Sequence, residues 1–414
     1  MKLLNHIAST AIGMLALTLS AVSQAPDGTA LTQQSAATLH KDVVIPFELV
    51  NKNIYLQVTV MHSKPLWFVL DTGVKYACID LSVAKSLGLE LGDQVSAGGG
   101  GKDAVLVRML KSGSFSVVGL DGLTQPVSIA VPFEKLSKAS GHEFSGILGF
   151  DFISQFVIEI DYQKRAITLH GKDSYEYQGQ GEALPITFNA ASHPQVLAQV
   201  IDGDGPPVEG KFTLDLGSGA GLILNKPFVD ARGFLESNRQ TIQWIEGLSI
   251  GGGIPGLVGR VGGIKVGRYL ISDPVTVFTQ ASSGVFATSD SGGNIGAGIL
   301  EKFKIILDYG RNRIILEPND KFAQPIEYNR SGLSIISSGT GYRSFEIDAV
   351  AEKSPASEAG LRTGDILNAI DGHPAAEYTL SQLRQLIQDA KVCELTIDRG
   401  NKQLKVKLKP RQLI

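Results

Sequence analysis

Two aspartates stand out as residues that could do chemistry together. Asp71 follows the apolar run Phe68-Val69-Leu70 and precedes Thr72-Gly73, while Asp215 follows Phe212-Thr213-Leu214 and precedes Leu216-Gly217. An apolar strand ending in Asp leaves the carboxylate poorly solvated, and a glycine two residues later lets backbone approach it closely. The Thr72 hydroxyl can bridge to neighbouring main chain. A single Asp-Thr-Gly is a weak signal, because Asp at a strand end commonly forms an Asx-turn or caps a helix. Two copies carry more. If a pseudo-twofold brings Asp71 and Asp215 face to face, two carboxylates about 3 Å apart cannot both ionise. They share a proton, so that one acts as base toward a water and the other as acid toward a carbonyl oxygen.

The elements that must position these groups are themselves repeated. Phe68 to Gly73 returns as Phe212 to Gly217 at an offset of 144. Val118-Gly119 and Pro126-Val127 return as Val266-Gly267 and Pro274-Val275 at 148. Gly149, Phe156, Asp161-Tyr162 and Ile167 return as Gly296, Phe303, Asp308-Tyr309 and Ile314 at 147. Three landmarks in one order at nearly one offset define two copies of a unit, about 40–175 and 180–320. Both copies read as β, with hairpins expected at 156–169 and 303–316 around Gln163-Lys164-Arg165 and Gly310 to Arg313. Short helices are expected at Leu81 to Leu87 and near Pro227 to Arg232. Glycine-rich stretches lie between the landmarks at Gly98 to Gly101 and Gly251 to Gly263. Gly251, Gly253 and Gly256 match a dinucleotide-binding spacing, but the glycines that follow leave no helix to hold a phosphate. Asp103 stands where a phosphate loop after Gly101-Lys102 needs Ser or Thr. The full Gly-x-Ser-x-Gly elbow is missing around Ser218.

The pattern resembles the retropepsin-like aspartic proteases, in a single-chain form where two copies replace a homodimer. The resemblance covers roughly 45–320. It implies a mostly β, bilobal, duplicated β-barrel core with Asp71 and Asp215 as the catalytic dyad, supported by Thr72, Gly73 and Gly217. It also implies β-hairpin flaps at Gly98, Gly99 and Gly100 and at Gly251, Gly252 and Gly253. Behind the aspartates, apolar-apolar-Gly segments correspond to Ile147-Leu148-Gly149 and Asn294-Ile295-Gly296. Two positions depart from the family. Leu216 stands where a second Thr or Ser would lock the loops together, and Asn294 replaces an apolar residue. A looser or asymmetric dyad is therefore expected. The alternative is a catalytically weak or inactive peptide-binding scaffold of the cell envelope.

Beyond Pro318 a different pattern begins. Ser354-Pro355-Ala356, Ala359-Gly360-Leu361, Gly364-Asp365-Ile366-Leu367 and Ile370-Asp371-Gly372 occur in series. A helix is expected from Thr379, with Gln382 completing a capping box and Leu380, Leu383, Leu386 and Ile387 on one face. Glu394 to Asp398 and Lys402 to Lys409 read as a closing hairpin. This segment, 328–412, resembles the bacterial form of the PDZ domain, a small α+β module. The resemblance implies capture of an extended chain between an edge strand and the helix. Gly332, Leu333 and Ser334 would form the carboxylate-binding loop, and Thr379 would open the groove helix.

Composition sets the outer limits. The 414 residues carry 38 Lys+Arg and 41 Asp+Glu, a formal charge of −3, which argues against an electrostatic nucleic-acid binder. Forty-three per cent apolar and 19 per cent charged residues describe a globular chain with ample length for real cores. Lys2, the apolar stretch Ile7 to Leu19 and Ser23-Gln24-Ala25 read as a signal peptide over 1–23 or 1–25. Export to a periplasm or beyond follows, with no stable membrane insertion after its removal. Cys78 and Cys393 read as buried, unpaired thiols, and the scattered histidines as no metal site. No metal or cofactor is expected; the partner expected is a peptide or unfolded protein.

Overall fold

The computed structural model describes residues 18–19, 39, 41–101, 103–236 and 239–414. The expected signal peptide lies outside them, apart from Thr18–Leu19, whose backbone pairs with Ala97 and Gly98. The chain is mostly β. Among the described residues no helix is long and apolar enough to cross a membrane.

Two large sheets follow one plan. In the first, Leu66–Leu70 runs parallel to Gly146–Leu148, which lies antiparallel to Cys78–Asp80. In the second, Val208–Asp215 runs parallel to Gly293–Gly296, which lies antiparallel to Leu222–Leu224. Asn53–Val60 and Pro194–Ile201 flank the aspartate strands in the two sheets, and the strand orders correspond except for Thr18–Leu19, an extra edge strand of the first. Close contact explains the glycine that opens each middle strand. A Cβ on Gly146 would lie 2.2 Å from the Phe68 ring, and one on Gly293 would lie 1.8 Å from the Ile223 carbonyl oxygen.

A six-stranded sheet joins the lobes. Its order is Glu182–Pro185, Arg313–Pro318, Phe303–Asp308, Val157–Asp161, Ala166–His170 and Val43–Pro46. Both hairpins read from the sequence are present. At the centre Ile158 pairs with Leu307, Glu159 with Ile306 and Ile160 with Ile305. Glu159 and Ile306 are separated by the 147-residue repeat offset, so the pseudo-twofold passes through that pair. Ile158, Ile160, Ile305 and Leu307 enter one hydrophobic core with Phe152, Phe156, Leu214 and Leu216. The lobes thus share a core as well as a sheet.

The expected helices appear at Leu81–Ser86, capped by the Asp80 carboxylate, and at Lys226–Arg232. A third, Glu134–Ser140, was not expected. Where the dinucleotide spacing occurs, the chain forms the hairpin Leu248–Ser249/Gly252–Gly253 and then the strand Gly256–Arg260. Cys78 and Cys393 are buried and unpaired.

The C-terminal module is a sheet in the order Leu333–Ser338, Ser344–Val350, Ile366–Ile370, Cys393–Arg399 and Lys402–Leu408. Leu333–Ser338 is its edge. The helix Leu380–Asp389 carries the Thr379/Gln382 capping box. Leu380, Leu383 and Ile387 pack on Ile335 and Phe345. Leu386 corrects the expected face, since it is exposed and Arg384 is buried instead. At about 100° per residue, position 384 falls beside 380 and 387 while 386 turns away. Truncating the shared core tests its weight: Ile305→Ala should lower unfolding free energy by about 2–5 kcal/mol in urea titration.

Candidate active site

The structure brings Asp71 and Asp215 together at the seam between the lobes. Asp71 directly follows the strand Leu66–Leu70, Asp215 ends the strand Val208–Asp215, and each is fully buried. The Gly73 amide donates to Asp71 Oδ1 at 2.6 Å, and the Gly217 amide donates to Asp215 Oδ1 at 3.0 Å. Each glycine also abuts the opposite carboxyl. A Cβ on Gly217 would lie 2.2 Å from Asp71 Cγ, and one on Gly73 would lie 3.2 Å from Asp215 Oδ1. No larger residue fits at 217. The two carboxyl groups are near enough to perturb each other's ionisation, since a Cβ on Gly73 would lie 3.1 Å from Asp71 Oδ1 and 3.2 Å from Asp215 Oδ1. Asp71 Oδ2 has no well-aligned donor from the protein.

The two acids are not equivalent. Burial pushes both above the ordinary carboxylate range. At Asp71 the neighbouring Asp215 charge adds to burial and raises it well above. Asp215 is held to about 6, because Asn294 Nδ2 donates to its Oδ2 at 2.9 Å and the Gly217 amide to its Oδ1. The equivalent residue in the first copy is Ile147, which offers no hydrogen bond. Asp215 therefore ionises first and Asp71 keeps the proton. Asn294 was legible only as an anomaly, a polar residue where the repeat asks for an apolar one.

Of the residues that follow the two aspartates, Thr72 rather than Leu216 ties the loops through its side chain. Its Oγ1 donates to the Leu214 carbonyl at 2.6 Å and accepts from the Leu216 amide at 3.0 Å. Leu216 makes no reciprocal side-chain bond; its side chain is buried in the shared core. Two further ties cross the seam. Asn53 Nδ2 donates to the Gly217 carbonyl at 2.9 Å, and Lys52 pairs with Glu301 at 3.1 Å. Neither was read from the sequence, where Asn51-Lys52-Asn53 looks like any polar turn.

The glycine-rich stretches meet. Gly98 ends the hairpin strand Leu91–Gly98, whose partner is Val105–Leu110. Beyond it the Gly100 amide donates to Ser249 Oγ at 3.1 Å, and the Gly101 amide to the Ile250 carbonyl at 3.1 Å. The Asp103 amide donates to the Gly251 carbonyl at 3.1 Å. A Cβ on Gly101 would lie 2.2 Å from Gly251, so the tips fit only as glycines. Ile250 packs into a cluster with Val69, Val74 and Ile147, residues that flank Asp71. Ser218 is buried and is not an exposed nucleophile.

The loop expected to bind a carboxylate is satisfied from within. Gly332 has φ +74°, and the Ser331 and Gly332 amides both donate to Asn329 Oδ1 at 3.0 Å. The Leu333 amide donates to Ser331 Oγ at 3.1 Å. Leu333 and Ser334 are buried, and Thr379 serves as the helix cap.

A family model described as aspartyl protease matches residues 56–152, the span that contains Asp71, and a PDZ domain model matches 346–399. The chain thus carries an aspartyl protease domain and a C-terminal PDZ domain. Among solved structures it is similar to the HtrA3 PDZ domain bound to the phage-derived ligand FGRWV. That match has 22% identity and a TM-score of 0.18, over 20% of this chain and 83% of that one. No curated protein matches.

The asymmetry is testable. Asn294→Leu removes the donor that holds Asp215 down, so its proton is retained to higher pH. The ascending limb of the pH–activity profile should move up by about one pH unit, the equivalent of one charge-assisted hydrogen bond. Gly217→Ala should force the carboxyls apart and abolish the profile altogether while leaving a folded circular-dichroism spectrum.

Proposed function

We propose that the chain is an exported aspartic endopeptidase in which Asp71 and Asp215 activate water, with the PDZ domain recruiting peptide substrates. The observation that carries this reading is the buried carboxyl pair with unequal surroundings. In the singly protonated state, Asp215 takes a proton from water as the hydroxyl attacks the peptide carbonyl carbon. Asp71 gives its proton to the carbonyl oxygen. In collapse of the tetrahedral diol, Asp215 passes its proton to the leaving nitrogen and Asp71 regains one from a diol hydroxyl. No covalent enzyme intermediate forms. Thr72 supports the reading, because one hydroxyl supplies both loop bonds that Leu216 cannot share. The substrate class is extended, unfolded polypeptide, a form that both a cleft beneath paired hairpins and an edge-strand groove accept. Export rests on Lys2, the Ile7 to Leu19 stretch and the small residues at Ser23 and Ala25.

Below the pH at which Asp215 titrates, both acids are protonated and no base exists. Rate should therefore rise through about pH 6 and hold until Asp71 loses its proton. This moves the optimum toward neutrality from the acidic optimum natural to a shared proton. Cleavage of a reduced, unfolded protein should be sensitive to pepstatin. Asp71→Asn and Asp215→Asn should each lower kcat/KM by roughly 10²–10⁴-fold. Turnover surviving both substitutions refutes the dyad. Peptide binding by a wild type that never turns over would favour the scaffold reading.

A further inference from the structure

The groove of the PDZ domain already has an occupant. Its walls are the edge strand Leu333–Ser338 and the helix Leu380–Asp389, and the end of the first-lobe helix Glu134–Ser140 sits between them. A Cβ on Gly141 would lie 2.5 Å from Leu380 Cβ and 3.2 Å from Ser337 Oγ. A helix leaves its last carbonyls without intrahelical donors, and here the PDZ walls supply them. Ser337 Oγ donates to the Lys138 carbonyl at 3.2 Å, and Arg384 Nη2 to the Ala139 carbonyl at 3.0 Å. The same Arg384 nitrogen donates to the Ile335 carbonyl of the edge strand. Asn51 Nδ2 donates to the Ser140 carbonyl at 2.9 Å and is itself bound by Ser381.

The occupying helix also touches the hairpin of the second lobe. It packs on Leu248–Ser249, and its Leu136 belongs to the cluster that holds Ile250. A second tether runs beside it. Asn329, whose Oδ1 holds the Ser331 and Gly332 amides, donates through Nδ2 to the buried Glu246 at 2.8 Å. Glu246 stands two residues before the hairpin. Both ends of the groove are therefore bound to the hairpin whose tip meets Gly100 and Gly101.

We propose that the turn Lys138–Gly141 is an internal ligand of the PDZ groove, and that an extended peptide displacing it releases the hairpin Leu248–Gly253. Peptide capture is thereby coupled to opening over the paired aspartates. The contact stands by itself, and its consequence for turnover rests on the protease reading. An incoming strand offers the edge several backbone hydrogen bonds in place of the few side-chain ones made by the turn.

Hydrogen–deuterium exchange on the full chain tests this without requiring activity. Arg384→Gln should speed exchange in both 134–141 and 248–254 by at least about fivefold, the equivalent of one lost hydrogen bond. Ser337→Ala should act in the same direction by less. A Lys138→Cys/Ser337→Cys crosslink, placed at the pair joined by the Ser337 hydrogen bond, should slow both segments, with reversal by reductant. Faster exchange at 134–141 alone would overturn the coupling, and no change in either segment would overturn the internal ligand. Turnover measured in parallel should fall on crosslinking and return on reduction. If exchange responds as stated while no form turns over, the latch stands and the protease reading fails.

Discussion

The burial of Asp71 beside Asp215 is the constraint on which the rest of the structure depends. Two carboxyl groups buried side by side repel when both are ionised, and a low-dielectric surround magnifies that repulsion. Only a rigid frame keeps them adjacent. The frame here is a pair of parallel strand contacts, Leu70 beside Leu148 and Leu214 beside Ile295, with glycines at 73 and 217 letting each loop press on the other lobe's acid. The apolar residues beneath, from Phe68 to Leu216, keep water out and so raise both acids.

Two sheets of similar strand order make the frame, and differences between them make it uneven. An exact twofold would give each aspartate the same surroundings and leave the proton with no preferred home. In this chain Ile147 and Asn294 occupy equivalent places behind the two acids, as Thr72 and Leu216 do at the junction. Asn294 gives the charge a fixed address on Asp215. Leu216 gives up a hydroxyl and gains a place in the common core, while Thr72 makes the bonds to both Leu214 and Leu216. The two changes are complementary: one biases the site electrically, and the other strengthens the packing under it.

Much of this was legible in the sequence, because repeats and strand-ending aspartates are local patterns. The offsets of 144 to 148 announced two copies, the hairpins after Phe156 and Phe303 were readable from alternation and turn residues, and the Thr379/Gln382 box marked a helix start. What escaped was produced by contacts between distant segments. The helix Glu134–Ser140 is too short to show a period and is held by burial of Leu136 and by donors from Ser337 and Arg384. Asn53 and Lys52 acquire meaning only opposite Gly217 and Glu301, more than 160 positions away. Arg384 carries no local sign of its burial, since its partners, the Ala139 and Ile335 carbonyls, lie 245 and 49 positions away.

The pairing of Ile158 to Ile160 with Ile305 to Leu307 has a further consequence. Where two separate molecules must meet to assemble such a seam, dilution dissolves it and crowding restores it. Here both halves belong to one polypeptide, so the seam persists at any protein level, down to a single copy in its compartment.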